Sequence, residues 1–348
     1  MPFTAQELQN IANAALDFHM ERGKVFSQTI QGKPLLSAMR NKSKPFPGGK
    51  DNLTVRVKGQ YTTTIQGFEH DDQVTYANPA NIKEAQYPWK LIHAGIKITN
   101  HELLKDGISV VDSADGDRKT EHTQREKTVL ANLLDDKLED MTEGSDRGMN
   151  DMFWKDGTQD AKQVPGIKSI IVDDPTAAGV VGGLEQSANS WWRNRANLTI
   201  NISGGVSGQP VINFLQNEMR QLVRYGGNPD LWLAGSDMMD QIEKELRANG
   251  NYTETGWSDK GTIDFGMGDL AFKGKRIMYD PTLDDLANTK RLYAIDTKCI
   301  YPMHVEGEDM KKHAPARPED RYVFYKALTW VGGLVCKRRN SSAVYAFA

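Results

Sequence analysis

The spacing of apolar and polar positions changes character several times along the chain. Near the start, Thr4 and Glu7 have the Thr-x-x-Glu spacing of a capping box, and Leu8, Ile11, Ala12, Ala15 and Leu16 follow on one helical face. Gly23 closes that pattern. Residues 28–50 carry Pro34, Pro45, Pro47, Gly48 and Gly49 among several basic residues, which reads as an extended arm with no core of its own. From Asn52, Leu53, Val55 and Val57 alternate with Thr54, Arg56 and Lys58, the two-residue period of a half-exposed strand. A polar stretch at 69–83 separates this from a second strand-like segment at 87–99. The two are expected to pair as a hairpin with a polar tip. A lone two-stranded ribbon is marginal in water, so this one is expected to lean on a neighbouring molecule.

The strongest helical period comes next. Val129, Leu130, Leu133, Leu134, Leu138 and Met141 mark one face, and Arg125, Glu126, Asp135, Asp136, Glu139 and Asp140 largely mark the other. Residues 121–141 predict a helix about 30 Å long. Gly144 and Gly148 weaken it further on, although Met149, Met152 and Phe153 prolong the stripe. Residues 164–296 read as a compact α/β unit. It opens with a short apolar strand at 167–172. Pro210 starts a helix with Val211, Phe214, Leu215, Met219, Leu222 and Val223 inward, stopped at Gly226-Gly227. Leu231-Trp232-Leu233-Ala234 is a buried strand, and Ser236 then caps a helix carrying Met239, Ile242 and Leu246. Strands dominate the remainder, at 275–279, 291–295, 321–335 and 343–347. The fold class is therefore α+β.

Composition narrows the function. Charged residues make up 26% and hydrophobic ones 39% of 348 residues, with a formal net charge of -3, so no whole-molecule field favours nucleic acid or an acidic membrane. Met1-Pro2-Phe3-Thr4 lacks the basic start and apolar run of a signal peptide, and no segment approaches the ~20 apolar residues of a membrane span. Cys299 and Cys336 stand apart without Cys-x-x-Cys spacing and read as buried free thiols of a protein folded in a reducing cytoplasm.

Chemistry-bearing motifs are sparse. Gly-x-Ser-x-Gly, His-Glu-x-x-His and the phosphate loop are absent; the stretch from Gly268 to Lys275 has the wrong spacing and reads as a hairpin turn. The seven histidines show no ligand spacing. Asp71-Asp72, Asp135-Asp136, Asp173-Asp174 and Asp284-Asp285 read as solvated loops or helix faces before they read as a metal site. Lys337-Arg338-Arg339 reads as a solvated strand edge, with contact to nucleic acid or an acidic neighbour as the other reading. Trp191-Trp192-Arg193 is either a core anchor or an interface anchor. No catalytic, metal or cofactor-binding residue is assigned.

Several segments, in order, resemble the tailed-bacteriophage major capsid proteins with the Hong Kong 97-type fold. Gly182-Gly183-Leu184 precedes Trp191-Trp192-Arg193-Asn194. Gly226-Gly227-Asn228-Pro229-Asp230-Leu231 leads into a helix near Ser236. Phe272-Lys273-Gly274-Lys275-Arg276-Ile277 runs to Tyr279-Asp280-Pro281, and Leu292-Tyr293-Ala294-Ile295-Asp296 follows. The resemblance covers nearly the whole chain. It implies an N-terminal arm (1–50), an extended β-hairpin loop (51–100), a long spine helix with part of a peripheral domain (101–163), an axial domain (164–296) and peripheral return strands (297–348).

The function so implied is a structural one, with no enzyme activity and no cofactor. Copies of the chain would self-assemble, as hexamers and pentamers, into the icosahedral head of a virion built in the host bacterial cytoplasm. The head would enclose double-stranded DNA without sequence-specific binding, and portal, scaffolding or decoration proteins would be its other partners; no membrane is involved. Candidate subunit contacts are Leu53, Arg56, Lys58, Tyr61, Trp89, Trp191, Trp192 and Arg193. Some members join subunits through a lysine–asparagine link, but no motif around Lys58 or Asn340 carries that chemistry over. The alternatives are an encapsulin-like compartment, which shares the fold, an α/β hydrolase or transferase centred on 231–237, and a single-strand nucleic-acid binder, which the balanced charge disfavours.

Overall fold

The computed structural model of the chain describes residues 3–4, 31–61, 63–76, 81–105, 110–111, 124–202, 210–248, 271–313 and 323–348. In chain order the elements are β1 (Phe3–Thr4), α1 (Pro34–Lys42), β2 (Lys44–Phe46), β3 (Asn52–Lys58), β4 (Ile82–Pro88), β5 (Lys90–Thr99), α2 (Asn100–Lys105) and β6 (Val110–Val111). Next come α3 (Gln124–Trp154), α4 (Ile167–Ile170), β7 (Val180–Val181), β8 (Leu184–Glu185), β9 (Arg195–Ile200), α5 (Pro210–Val223), β10 (Leu231–Ala234) and α6 (Ser236–Ala248). The last are β11 (Ala271–Phe272), β12 (Lys275–Tyr279), α7 (Pro281–Asp285), β13 (Arg291–Ile295), β14 (Ile300–Val305), β15 (Lys311–His313), β16 (Val323–Cys336) and β17 (Ala343–Phe347). They fall into two compact units, one drawn from Met1–Gln31, Leu91–Met149 and Val305–Val331, the other from Gly32–Lys90, Asn150–His304 and Gly332–Ala348.

The larger unit is built on a six-stranded sheet in the order β11-β12-β10-β13-β17-β9. Period two puts Trp232 and Ala234, Leu292 and Ala294, and Ala343 and Tyr345 on one face, where α5 and α6 cover them with Val211, Leu215, Leu222, Met238 and Ile242. Leu231, Leu233, Tyr293 and Val344 alternate with these and are buried too, so β10 reads as a continuous apolar run, as a strand covered on both sides should. Helix starts are secured by neighbours. Glu245 of α6 accepts the Val211 and Ile212 N–H groups at 3.1 and 3.0 Å, serving donors that α5 cannot satisfy internally. Ser236 is the first helical residue, and its N–H is held at 3.0 Å by the Asp284 carboxylate, so the anticipated cap is supplied from α7.

On the second face the end of α3 locks into α1 and α7. Asn150 accepts the Leu36 N–H at 3.0 Å and donates to Thr282 Oγ1 at 2.7 Å, while the Trp154 indole donates to Asp280 at 2.9 Å. Burial pushes the Asp280 carboxyl up. This corrects the reading of residues 28–50 as an extended arm: 34–42 are helical, with Leu35, Leu36 and Met39 buried. Proline at the first helical turn favours that start, and three apolar residues on one face suffice once a host core is available.

In the smaller unit Leu138 and Met141 of α3 pack with Leu328 of β16, flanked by Ile96 and Met310. The earlier positions of that stripe lie outside the described side chains. Strand β5 gives way to α2 at a capping box: Glu102 N–H bonds Thr99 Oγ1 at 3.3 Å and Thr99 N–H bonds the Glu102 carboxylate at 3.0 Å. That hydrogen bond, with Lys137, holds the Glu102 carboxyl down at about 2.

Four further expectations are corrected. The partner of β3 is Ile82–Pro88, in the register Leu53↔Tyr87 and Val57↔Lys83, and the segment expected to pair, 87–99, breaks at Trp89 to form β5. Residues 167–170 are a helical turn, too short for periodicity to distinguish from a strand. Val223, the last residue of α5, is exposed. Helix α3 runs on to Trp154, about 46 Å in all. Gly144 and Gly148 are tolerated because both face open space. The helix expected to start at Thr4 lies outside the described residues, apart from Phe3–Thr4, which are strand β1.

The chain turns back after α3 at Gly166, where a Cβ would stand 2.2 Å from Phe153 O and 2.5 Å from both Lys155 O and Met152 O. Gly166→Ala is therefore expected to cost at least ~2 kcal/mol, because the clash is with backbone. Gly144→Ala is expected to stabilise by up to ~1 kcal/mol. Urea midpoints of the two variants against wild type check both signs.

Candidate assembly surfaces

The side chain that organises the β3–β4 ribbon is one the sequence placed on a solvated edge. Arg339 is 1% exposed, and all its hydrogen-bond partners are neutral. Nε donates to Ile170 O (2.8 Å), Nη1 to Trp192 O (3.0 Å) and Gln186 Oε1 (3.4 Å), and Nη2 to Gln186 Oε1 (3.3 Å) and Asn194 Oδ1 (2.8 Å). Those five contacts match the five N–H groups of a guanidinium. Burial pulls its pKa down to about 10, which still leaves it charged at neutral pH.

The acceptors are themselves tied in place. Gln186 Nε2 donates to Asp174 O and Ala177 O, Asn194 Nδ2 to Val172 O, and the Trp192 indole to Val181 O. Residues 166–195 have little regular structure, and they are held as a platform by this network. Of the eight candidate contacts, Trp192 (1% exposed) is spent here as a core anchor, and Arg193 donates to the Gln186 and Ser187 carbonyls.

The ribbon docks on the platform. Gln86 N–H bonds Gly182 O at 2.9 Å, Lys83 Nζ reaches Asn189 Oδ1 at 2.7 Å, and Trp191 packs so closely on Gly59 that a Cβ there would sit 3.0 Å from the indole. Tyr87 stands against Gly182, whose φ of 61° and absent Cβ leave room for the phenol, and donates to Cys336 O at 3.2 Å. Gly333 of β16 makes a similar opening beside Pro88 O and Leu53. The inner face of the ribbon, Leu53, Val55, Val57, Ala85 and Tyr87, is thus buried within the protomer. Trp89 closes the base, its indole donating to Lys50 O at 2.8 Å and its ring edge-on to Phe46. Leu53 and Trp192 are therefore not available to a neighbour.

Arg56, Lys58 and Tyr61 do face solvent. Arg56 pairs loosely with Glu84 (3.5 Å) and Lys58 lies over the Tyr61 ring (4.5 Å). Beyond Gly59 every described residue from 60 to 76 is exposed, including Tyr61, Ile65, Phe68, Val74 and Tyr76. Phe68 and Tyr76 are 69% and 90% exposed. The expectation of a polar tip arose because its apolar residues are spaced among Gln, Thr, Asp and Glu with no period; the aromatics Tyr61, Phe68 and Tyr76 were the available signal. Cys299 and Cys336 are free thiols, and burial pushes their pKa values up to about 11 and about 12. Among the described residues no group of three His, Cys, Asp or Glu side chains is placed to hold a metal ion.

The architecture has solved counterparts. A subunit of the cyanophage A-1(L) capsid superposes with a TM-score of 0.67 over 93% of this chain and 94% of that one, at 12% identity. The capsid of the native GTA particle gives 0.57 over 93% and 95%, at 14% identity, and the capsid of Myoviridae phage XM1 gives 0.51 over 93% and 95%, at 9% identity. The chain has the Hong Kong 97-type fold. No protein-family model and no curated protein sequence matches it. At such identities the Hong Kong 97-type fold is preserved by pattern and packing, not by residue identity, which suits a core held by volume and polarity.

Arg339→Met would strand two carbonyls and two side-chain amides in the platform, and is expected to cost at least ~3 kcal/mol. Arg338→Met, one residue earlier, is expected to stay within about 0.5 kcal/mol. Urea denaturation of both compares them directly; equal midpoints would contradict the role assigned to Arg339.

Proposed function

We propose that the chain is the major capsid protein of a tailed phage, self-assembling into an icosahedral shell around double-stranded DNA. The observation that carries the reading is the whole-length likeness to the capsid subunits of two phages and of the GTA particle, 93% of the chain in each case. The ribbon supplies the physical reason for assembly. Its base is fixed and dry, and its tip holds five large apolar side chains in water with no core within the loop to receive them. Full burial of Ile65 or Phe68 against another subunit contributes roughly 1.5–3 kcal/mol each. Single contacts of that size are weak enough to correct, and many repeated around a closed shell are strong.

On this reading the surface side of the ribbon, Arg56, Lys58 and Tyr61, with the half-buried Trp89, Trp191 and Arg193 at its root, lies along subunit boundaries in hexamers and pentamers. The loop, spine and axial segments divide the chain as in the family it resembles, with a helix at 34–42 in the arm and Ala343–Phe347 joining the axial sheet. Portal, scaffolding or decoration proteins complete the particle, which assembles in the cytoplasm of the bacterial host.

Sedimentation velocity tests this reading. Wild-type protein, alone or expressed with its flanking genes, is expected to sediment as large assemblies. Phe68→Asp/Tyr76→Asp is expected to sediment as a small species with an unchanged melting temperature, since neither side chain is packed in the protomer. A wild type that stays monomeric at high concentration in both preparations contradicts the reading.

A further inference from the structure

Two segments of the chain carry basic residues and no acidic ones. Residues 32–50 hold Lys33, Arg40, Lys42, Lys44 and Lys50, and residues 332–348 hold Lys337, Arg338 and Arg339; neither contains Asp or Glu. Far apart in sequence, they meet in the larger unit on either side of β14, where β2 lies along one edge and Gly332–Cys336 of β16 along the other. Strand β14 has no acidic residue either, and Lys298 is exposed just before it.

The side chains converge. Tyr301 of β14 is covered from both flanks, by Lys44 Nζ at 4.4 Å from its ring centroid and by Lys337 Nζ at 5.2 Å, so the two ammonium groups stand within about 10 Å of each other. Arg338 follows next in the chain, with Nη1 3.7 Å from where a Cβ on Gly226 would lie. Among the described residues, Lys44, Lys298, Lys337 and Arg338 form no ion pair. A chain with a net charge of -3 has thus gathered four cations without ion-pair partners among the described residues around β14, beside the Asp296 carboxylate, which accepts the Lys298 N–H at 3.2 Å. Such segregation makes a local positive field that the net charge conceals.

The kind of partner follows from what accompanies the cations. None of the large apolar side chains found exposed lies on β2, β14 or β16, whereas a protein interface has an apolar centre depleted of charge. Lysine is a mobile point charge suited to phosphate and unsuited to reading a base edge by paired hydrogen bonds. We propose that this face binds the phosphate backbone of double-stranded DNA without sequence preference. The proposal rests on the shell reading, which supplies the DNA, and deepens it by assigning the surface that meets it. Arg339 takes no part, being buried.

The test uses full-length protein and two unrelated 30-base-pair duplexes, with anisotropy titrations across a salt series. Wild type is expected to bind both duplexes equally. Lys44→Gln/Lys337→Gln is expected to bind about tenfold more weakly at low salt, and its slope of log affinity against log salt is expected to fall by about 2. Lys273→Gln/Lys275→Gln, on the β11–β12 hairpin, is expected to match wild type. An unchanged Lys44→Gln/Lys337→Gln variant, a preference for one duplex, or binding of poly-glutamate in place of DNA overturns the proposal. Sedimentation of the same samples separates the two readings. Wild type that assembles without binding DNA contradicts this proposal alone; wild type that binds DNA and never assembles contradicts the shell reading.

Discussion

A single buried guanidinium fixes the geometry on which the ribbon depends. Arg339 distributes its five N–H groups over carbonyls and amides from α4, from the loop after β8 and from the turn before β9. Without that cation residues 166–195 have too little secondary structure to satisfy their own polar groups. A neutral acceptor set is unusual for a buried charge, and it is adequate only because every donor is used. The platform so made receives Gln86, Lys83 and Gly59 from the ribbon, and Tyr87 ties β4 to Cys336 O, three residues on from Gly333 in β16.

From that base the division of labour is clear. Apolar side chains alternate inward along β3 and disappear into the protomer, while the tip beyond Gly59 keeps its apolar side chains in water. The ribbon can therefore stay ordered at its root and still offer adhesive surface at its end. Charge is segregated in the same way. Around β14, Lys44 and Lys337 stand over the same Tyr301 ring, with Arg338 next in the chain.

The parts legible in the sequence were those governed by period. The alternation at Leu53, Val55 and Val57, the apolar run Leu231–Ala234, the α5 face as far as Leu222, and the strands at 275–279, 291–295 and 343–347 stand where their patterns put them. What was illegible depended on tertiary partners. Helix α1 forms because a host core accepts Leu35, Leu36 and Met39, and the start signal of Pro34 was masked by Pro45, Pro47, Gly48 and Gly49 just beyond it. The true partner of β3 is Ile82–Pro88, four of whose seven residues are exposed, so its apolar content is low. Arg339 looks like its neighbours Lys337 and Arg338; only the acceptors brought to it across more than a hundred residues distinguish it. Among the candidate contacts, Leu53 and Trp192 are buried in the protomer's own core, which for Trp192 was one of the two readings its aromatic identity left open.

The most direct measurement of whether this chain builds shells is negative-stain electron microscopy of the recombinant protein, alone and with its flanking genes. The account predicts thin-walled closed particles of uniform diameter. Fields of compact, separate molecules in both preparations, with no rings, sheets or shells at high concentration, would contradict it.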